Sequence, residues 1–363
     1  MVIGVDVREA APDRRAGKGR VVAELVPRLA ERSPDDTWLL FSDRRFDWEL
    51  PINCRWRIVS GKGPLWHRRT AAAANRACDV YFTATSFLTP RFVRKPVVLF
   101  VHDLVAFSKA GGVGLKARLM ERTLLRRALR KAAGVIVNSK TTKADLAARY
   151  RKLPPVTVAP LAAGPAFGQK IPAATQRSVR RRRNLPSRYL LAVGTIEPRK
   201  NFAALIRAFE GLPADVRGKT ELVIVGRWGW GYGPVERTLA TAASTRVLDD
   251  VGDDELPALY AGAVAFCYPS RYEGFGLPAL EAMQSGLPTL LSDTPALREL
   301  AGDAALYCKP RSARSIRSGL KTLLGSASRR ASLAKRGRAR ARRFSWDVAA
   351  ERTLETIRRS AGR

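Results

Sequence analysis

Short apolar runs alternate along the chain with longer stretches whose apolar residues recur at helical spacing, the pattern of parallel α/β sheets. Runs at 2–7, 38–41, 80–83, 97–101, 135–138 and 156–159 predict a first sheet. Runs at 189–193, 222–225, 264–268 and 288–291 predict a second. Between the two groups, 160–168 and the polar stretch up to Pro186 are rich in Pro, Gly and charge, which marks a linker. The expected organisation is therefore an N-terminal domain over 1–165, a linker over 166–187, a second domain over 188–343 and a terminal helix over 344–363 with Ser345 as its cap. No short-period repeat appears, so the two similar halves are the only visible duplication.

Two strand-loop-helix segments in the second half carry chemistry. In 265–286 an apolar strand ends at Pro269, Gly274 and Gly276 let the backbone turn sharply, and Pro278 opens a helix. Glu273 is then in the loop and Glu281 on the helix. An anionic group docked over this loop meets the free N–H groups of the helix start, and the two carboxylates can accept hydrogen bonds from sugar hydroxyls. An ordinary strand-to-helix turn with two exposed glutamates has the same spacing. The second segment, Gly194-Thr-Ile-Glu-Pro-Arg-Lys-Asn201, follows the run 189–193 and sets Arg199 and Lys200 where α/β folds bind ligands. Adjacent cations suit a diphosphate, Arg as a bidentate fork and Lys as a point charge. A solvated basic turn is the alternative.

Together, in this order, these segments resemble the C-terminal half of family 4 glycosyltransferases, retaining enzymes of the GT-B fold. The likeness extends through Val225-Gly-Arg-Trp-Gly-Trp-Gly231, then 247–260, then Ser292-Asp-Thr-Pro-Ala-Leu-Arg-Glu-Leu300. It implies an α/β fold with two Rossmann-like domains facing each other across a cleft, an acceptor-binding first domain, a donor-binding second domain, and a terminal helix that crosses back to the first. It also implies that Arg199 and Lys200 hold the donor diphosphate, that Glu273 contacts the donor sugar and Glu281 the ribose, and that Gly194, Gly274, Phe275, Gly276 and Leu277 lie along the donor.

The first half resembles the family in Val97-Val-Leu-Phe-Val-His-Asp-Leu104, where His102 matches a histidine that lies against the donor sugar. A lone histidine at a strand end is otherwise more often structural. The segment 135–150 is similar to the family's strand and helix, with Ser139 as N-cap. Where the family shows a Gly-Ile-Gly-Arg-Tyr type loop, this chain has Gly17-Lys-Gly-Arg-Val21. Gly17 and Gly19 could admit a donor phosphate closely, and Lys18 departs from the pattern.

Length and composition fit two globular domains: 363 residues, 46% hydrophobic and 27% charged. No apolar stretch reaches the roughly 18–20 residues that span a bilayer, and the N-terminus runs directly into a strand, so a cytoplasmic chain without a signal peptide is expected. Cys54, Cys78, Cys267 and Cys308 lack Cys-x-x-Cys spacing and read as reduced thiols. The formal charge of +33 changes the picture, because a chain this basic seeks nucleic acid, anionic membrane or an acidic substrate. Basic clusters lie at 180–183, at 329–343 and on a predicted helix over 121–132. On that helix Arg122, Arg126, Arg127, Arg130 and Lys131 share one side and Leu124, Leu125, Ala128, Leu129 and Ala132 the other. The leucines should pack on the first sheet; whether the basic side rests on anionic lipid, at the inner face of the cell membrane, stays open. Nucleic-acid binding is the rival class, but 180–183 and 329–343 lack interleaved aromatics.

The resemblance thus implies a retaining hexosyltransferase, with mannose from GDP-mannose the leading donor and a UDP-sugar the alternative. Its acceptor would be a glycan or a lipid-linked glycan in cell-surface polysaccharide or glycolipid synthesis. A phosphorylase or epimerase of the same fold carries other loops around the carboxylates. Asp249, Asp250, Asp253 and Asp254 read as loop and helix-start acids and not as a metal motif. No metal and no cofactor beyond the nucleotide-sugar co-substrate is expected.

Overall fold

The computed structural model describes residues 1–13 and 17–362, except the side chain of Lys109. The chain divides into two compact units. The first comprises Met1–Phe107, Leu115–Leu161 and Ser345–Arg363; the second comprises Ser108–Gly114 and Ala162–Phe344.

In the first unit, β1 (Val2–Asp6), β2 (Thr37–Ser42), β3 (Cys54–Ile58), β4 (Val80–Thr83), β5 (Val97–Val101), β6 (Gly134–Val137) and β7 (Val156–Val158) form one parallel sheet. Their spatial order is β3-β2-β1-β4-β5-β6-β7. In the second, β8 (Tyr189–Val193), β9 (Glu221–Val225), β10 (Thr245–Leu248), β11 (Ala265–Tyr268), β12 (Thr289–Ser292) and β13 (Leu306–Cys308) form a parallel sheet ordered β10-β9-β8-β11-β12-β13. Both are doubly wound: strand order reverses once, between β1 and β4 and between β8 and β11.

Three strands lie outside the predicted runs, and each has a physical reason. β3 reads Cys-Arg-Trp-Arg-Ile at the sheet edge, with its arginines turned to solvent. β10 and β13 are short and only partly covered. Edge strands need no continuous apolar run, so hydropathy passes over them. The stretch read as a linker is also ordered into a helix, Ala173–Arg182.

Central strands are closed by amphipathic helices. Helix Phe202–Glu210 buries Phe202, Leu205, Ile206 and Phe209, spaced to share one face, against Leu190, Ala192, Leu222 and Ile224. Ser139 and Ser345 cap their helices, accepting from the backbone N–H of Thr142 at 2.9 Å and Asp347 at 3.1 Å. Leu205 is fully buried in the second unit's core. Leu205→Ala should cost that unit about 2–5 kcal/mol, read as a lower midpoint of its transition by calorimetry, with the first unit's transition unmoved.

Candidate active site

The reversal point of the second sheet sets the loops after β8 and β11 side by side, and both predicted charged segments lie there. Lys200 donates to Glu273 Oε1 at 2.8 Å and to the Tyr268 hydroxyl. Arg199 Nη1 donates to Glu273 Oε2 at 2.8 Å, and its Nε pairs with Glu197. Lys200 is 6% exposed, Glu273 7% and Glu281 2%. Neither the solvated basic turn nor the pair of exposed glutamates describes these residues: Lys200 and Glu273 are buried and paired, Arg199 is half-buried against Glu273, and Glu281 is buried on its helix.

The electrostatics follow from one anion shared by two cations. Burial raises the Glu273 pKa, but Arg199, Lys200 and their hydrogen bonds outweigh it and pull the carboxyl to about 2. Burial pushes Lys200 down, and the neighbouring Arg199 pushes the same way; Glu273 offsets this only in part. Glu197 is moved up by burial against the pull of Arg199 and Lys200. The cluster thus balances two cations against two carboxyls in a buried space, where an unpaired charge would be costly.

Asn201 locks the two loops together. It takes the left-handed conformation at φ 63°, which asparagine tolerates better than most residues. Its amide donates to the carbonyls of Pro269 at 3.1 Å and Pro310 at 2.8 Å. Arg271 returns a hydrogen bond from its backbone N–H to the Arg199 carbonyl at 2.7 Å and one from its Nε to the Asn201 side chain at 3.0 Å. In the second loop Gly276 has φ 101°, and a Cβ there would meet Leu297 Cδ2 at 2.5 Å. Only glycine makes that turn into helix Leu277–Gln284. Phe275 is buried edge-on against Phe344. Glu281 sits inside the helix and accepts from the Tyr260 hydroxyl at 2.9 Å.

Gly194, Arg199, Lys200, Glu273, Gly274, Phe275, Gly276, Leu277 and Glu281 are all residues of the second unit, on the β8 loop, the β11 loop and its helix. Glu197, Tyr268, Asn201 and Tyr260 complete their surroundings and were not singled out from the sequence. A tyrosine closing an apolar strand, as Tyr268 does, is the one local signal that could have flagged any of them.

Gly17, Gly19 and His102 belong to the first unit. Gly17 opens helix Gly17–Glu31 in open space. Gly19 has a packing reason, because a Cβ there would overlap the Glu9 carbonyl. His102 stacks on Phe100 at 4.6 Å, and its Nε2 lies 2.7 Å from the Ala84 carbonyl. That contact places the proton on Nε2 and leaves Nδ1 an acceptor. Burial, and then the charge of Lys18, bring His102 down to about 4, so the ring is neutral near pH 7.

The predicted basic helix runs Leu115–Lys131 and buries Leu125, Ala128 and Leu129. Arg126, Arg127, Arg130 and Lys131 are exposed. Arg122 turns inward instead, donating to the Ala106 carbonyl at 3.0 Å and lying over the Phe107 ring. Among the described residues no three His, Cys, Asp or Glu side chains converge as a metal site, and no helix is long and apolar enough to cross a membrane.

Comparison with known proteins bears on the family and the fold. The family model described as Glycosyl transferases group 1 matches residues 176–340, and the one described as Glycosyltransferase Family 4 matches 16–163. O-antigen chain mannosyltransferase B of Escherichia coli is 29% identical over 94% of this chain and 96% of its own length. A D-inositol 3-phosphate glycosyltransferase of Salinispora tropica is 34% identical over 60% of this chain and 49% of its own. Among solved structures, a sucrose-phosphate synthase of Thermosynechococcus elongatus superposes with a TM-score of 0.80 at 19% identity, covering 99% of this chain and 98% of its own. WaaG, a glycosyltransferase involved in lipopolysaccharide biosynthesis, does so with a TM-score of 0.76 at 19% identity, covering 98% and 99%. The fold is that of the GT-B glycosyltransferases. Within that class, the chain belongs to the family 4 glycosyltransferases.

The depressed pKa of Glu273 makes the cluster acid-sensitive. A folded-state value below the ordinary 4.5 means that its stabilisation is complete above about 4.5 and is lost as pH falls toward 2. Glu273→Gln should destabilise the second unit by about 3 kcal/mol near pH 7, through the two cations left without their shared anion. The gap between wild type and variant, followed by denaturant unfolding, should narrow steadily from pH 4.5 downward; a constant gap would contradict the shared-anion reading.

Proposed function

We propose that this chain is a retaining mannosyltransferase that moves mannose from GDP-mannose to a glycan or lipid-linked glycan acceptor. The observation that carries it is the convergence of Arg199, Lys200 and Glu273 at the reversal point of a doubly wound sheet, beside the start of helix Leu277–Gln284. The mannosyltransferase named among the relatives, similar over nearly the whole of both chains, supports the choice of sugar. Departure of a nucleoside diphosphate builds negative charge on its phosphates. Arg199, Lys200 and the helix N-terminus are preorganised to stabilise it without a metal ion.

Glu273 is committed to two cations, so in this reading it orients the donor sugar and does not attack it. Retention then comes from attack of the acceptor hydroxyl within a tight ion pair, on the face the leaving group vacates, as the sugar–phosphate bond breaks and the hydroxyl proton passes to the departing diphosphate. Glu281, held by Tyr260, takes the ribose hydroxyls. The neutral ring of His102 offers Nδ1 as an acceptor to a sugar hydroxyl. Gly17 and Gly19 are carried as donor-loop residues of the first unit.

Purified protein should transfer mannose from GDP-mannose to a mannoside acceptor with retained anomeric configuration, and should do so in excess EDTA. Lys200→Ala should lower kcat/KM by roughly two to three powers of ten. Glu281→Ala should weaken binding of free GDP by about 1–3 kcal/mol. Turnover abolished by chelation and restored by manganese would contradict the metal-free mechanism, and a Lys200→Ala enzyme above half activity would remove that residue from it.

We propose further that the helix Leu115–Lys131 docks on an anionic membrane. Leu115, Leu119 and Met120 are 79%, 63% and 61% exposed, next to the exposed Lys116, Arg126, Arg127 and Arg130. Apolar residues flanked by cations are the composition of an interfacial helix. With about 1 kcal/mol per basic residue at such a surface, Arg126→Glu, Arg127→Glu and Arg130→Glu together should weaken sedimentation with phosphatidylglycerol vesicles by roughly a hundredfold or more. Unchanged sedimentation would sink this placement.

A further inference from the structure

Beside the charged cluster, and unused by the reading above, runs the segment Gly226-Arg-Trp-Gly-Trp-Gly-Tyr-Gly233 at the carboxyl end of β9. Aromatic residues at 228, 230 and 232 alternate with glycines at 229 and 231. Among the described residues, every aromatic in the set of exposed large hydrophobic side chains is one of these three: Trp228 at 37%, Trp230 at 42% and Tyr232 at 37%.

The glycines explain how the segment is held. A Cβ on Gly229 would lie 2.7 Å from Thr195 Cγ2, and one on Gly231 would lie 2.8 Å from Pro198 Cγ. The backbone therefore packs flush on the very loop that carries Glu197, Arg199 and Lys200. Ile196 N–H donates to the Arg227 carbonyl at 2.9 Å, and Gly229 N–H donates to the Ile196 carbonyl at 3.1 Å. The rings are fixed too. The Trp230 indole N–H donates to the Gly111 carbonyl at 3.0 Å, and Trp228 meets Tyr232 edge-on at 5.3 Å.

Topology says which reactant such a surface would meet. The sheet order β10-β9-β8-β11 puts the charged cluster between the β8 and β11 loops. Glu281, assigned to the nucleotide, follows β11. The aromatic segment follows β9, on the opposite side of the cluster. We infer that Trp228, Trp230 and Tyr232 form a stacking wall for a sugar ring of the acceptor glycan, an inference that rests on the glycosyl-transfer reading and gives the second unit a share in the acceptor binding that the resemblance assigns to the first domain. A pyranose presents one apolar C–H face and a rim of hydroxyls, and a rigid, half-exposed aromatic surface offers large contact at small entropic cost. The wall would set acceptor affinity and register while leaving the diphosphate chemistry to Arg199 and Lys200.

The test uses full-length protein, GDP and α-linked mannotriose. Mannotriose should quench wild-type tryptophan emission, and the Trp228→Ala/Tyr232→Ala variant should lose that response while keeping its thermal midpoint. In transfer assays the variant's KM for mannotriose should rise roughly five- to tenfold, the scale of one or two aromatic contacts, with GDP affinity unchanged. Trp228→Phe/Tyr232→Phe should recover most of the loss. Wild-type emission indifferent to mannotriose would overturn the wall, whether or not transfer occurs. GDP affinity falling in place of acceptor affinity would make it a nucleobase platform. Loss of vesicle binding or of self-association, with acceptor KM intact, would assign it to lipid or to a second copy. Failure of wild type to turn over GDP-mannose defeats the mannosyltransferase reading separately, since the fluorescence titration needs no transfer.

Discussion

Glu273, shared between Arg199 and Lys200, is the contact on which the second unit's site depends. Taking Lys200 and Glu273 out of water is costly, and only their mutual pairing, with Tyr268 and Glu197 in attendance, makes it tolerable. The two cations come from the β8 loop and the anion from the β11 loop, so the ion pairs also fasten the two sides of the sheet's reversal point. Asn201 reinforces that junction with neutral hydrogen bonds to both the β11 and β13 loops. A site built this way is rigid before any ligand arrives, which is what electrostatic stabilisation of a leaving group requires.

Motif order made the fold class and the main charged residues legible in the sequence, because glycine, proline and charge mark strand-to-loop transitions locally. Burial and pairing were not legible, since they depend on contacts about 70 residues apart in the chain. Nothing local distinguishes a Lys200 in water from one held by Glu273, and Tyr260 becomes relevant only when the β11 helix brings Glu281 to it. The edge strands β3, β10 and β13 escaped for a related reason: half-covered strands carry arginine and threonine as readily as valine. A helical-wheel count also misassigned Arg122, because it sums charge on a face and does not see the Ala106 carbonyl that draws this guanidinium inward.

The charge of +33 is partly absorbed by the fold. Arg182 and Arg183 of the cluster at 180–183 close on Glu255, and Arg183 also reaches Asp250. Within 329–343, Arg330 donates to the carbonyls of Leu323 and Leu324 at the end of helix Ala313–Gly325, and Arg340 to those of Glu299 and Leu300. Cations on terminal carbonyls stabilise helix ends. These arginines close helix ends and ion pairs within the fold, while Arg126, Arg127, Arg130 and Lys131 of Leu115–Lys131 stay exposed.

Proton uptake on binding GDP tests the central claim most directly. Burial holds the Lys200 pKa below its ordinary value in the free protein, and a diphosphate brought against it should raise that value. Calorimetric titrations in buffers of different ionisation enthalpy should therefore show protons taken up as GDP binds at alkaline pH. That uptake should vanish, and affinity fall, in Lys200→Met. Equal proton uptake and equal affinity in wild type and Lys200→Met would mean that the diphosphate does not meet this lysine, and the account of the site would fail.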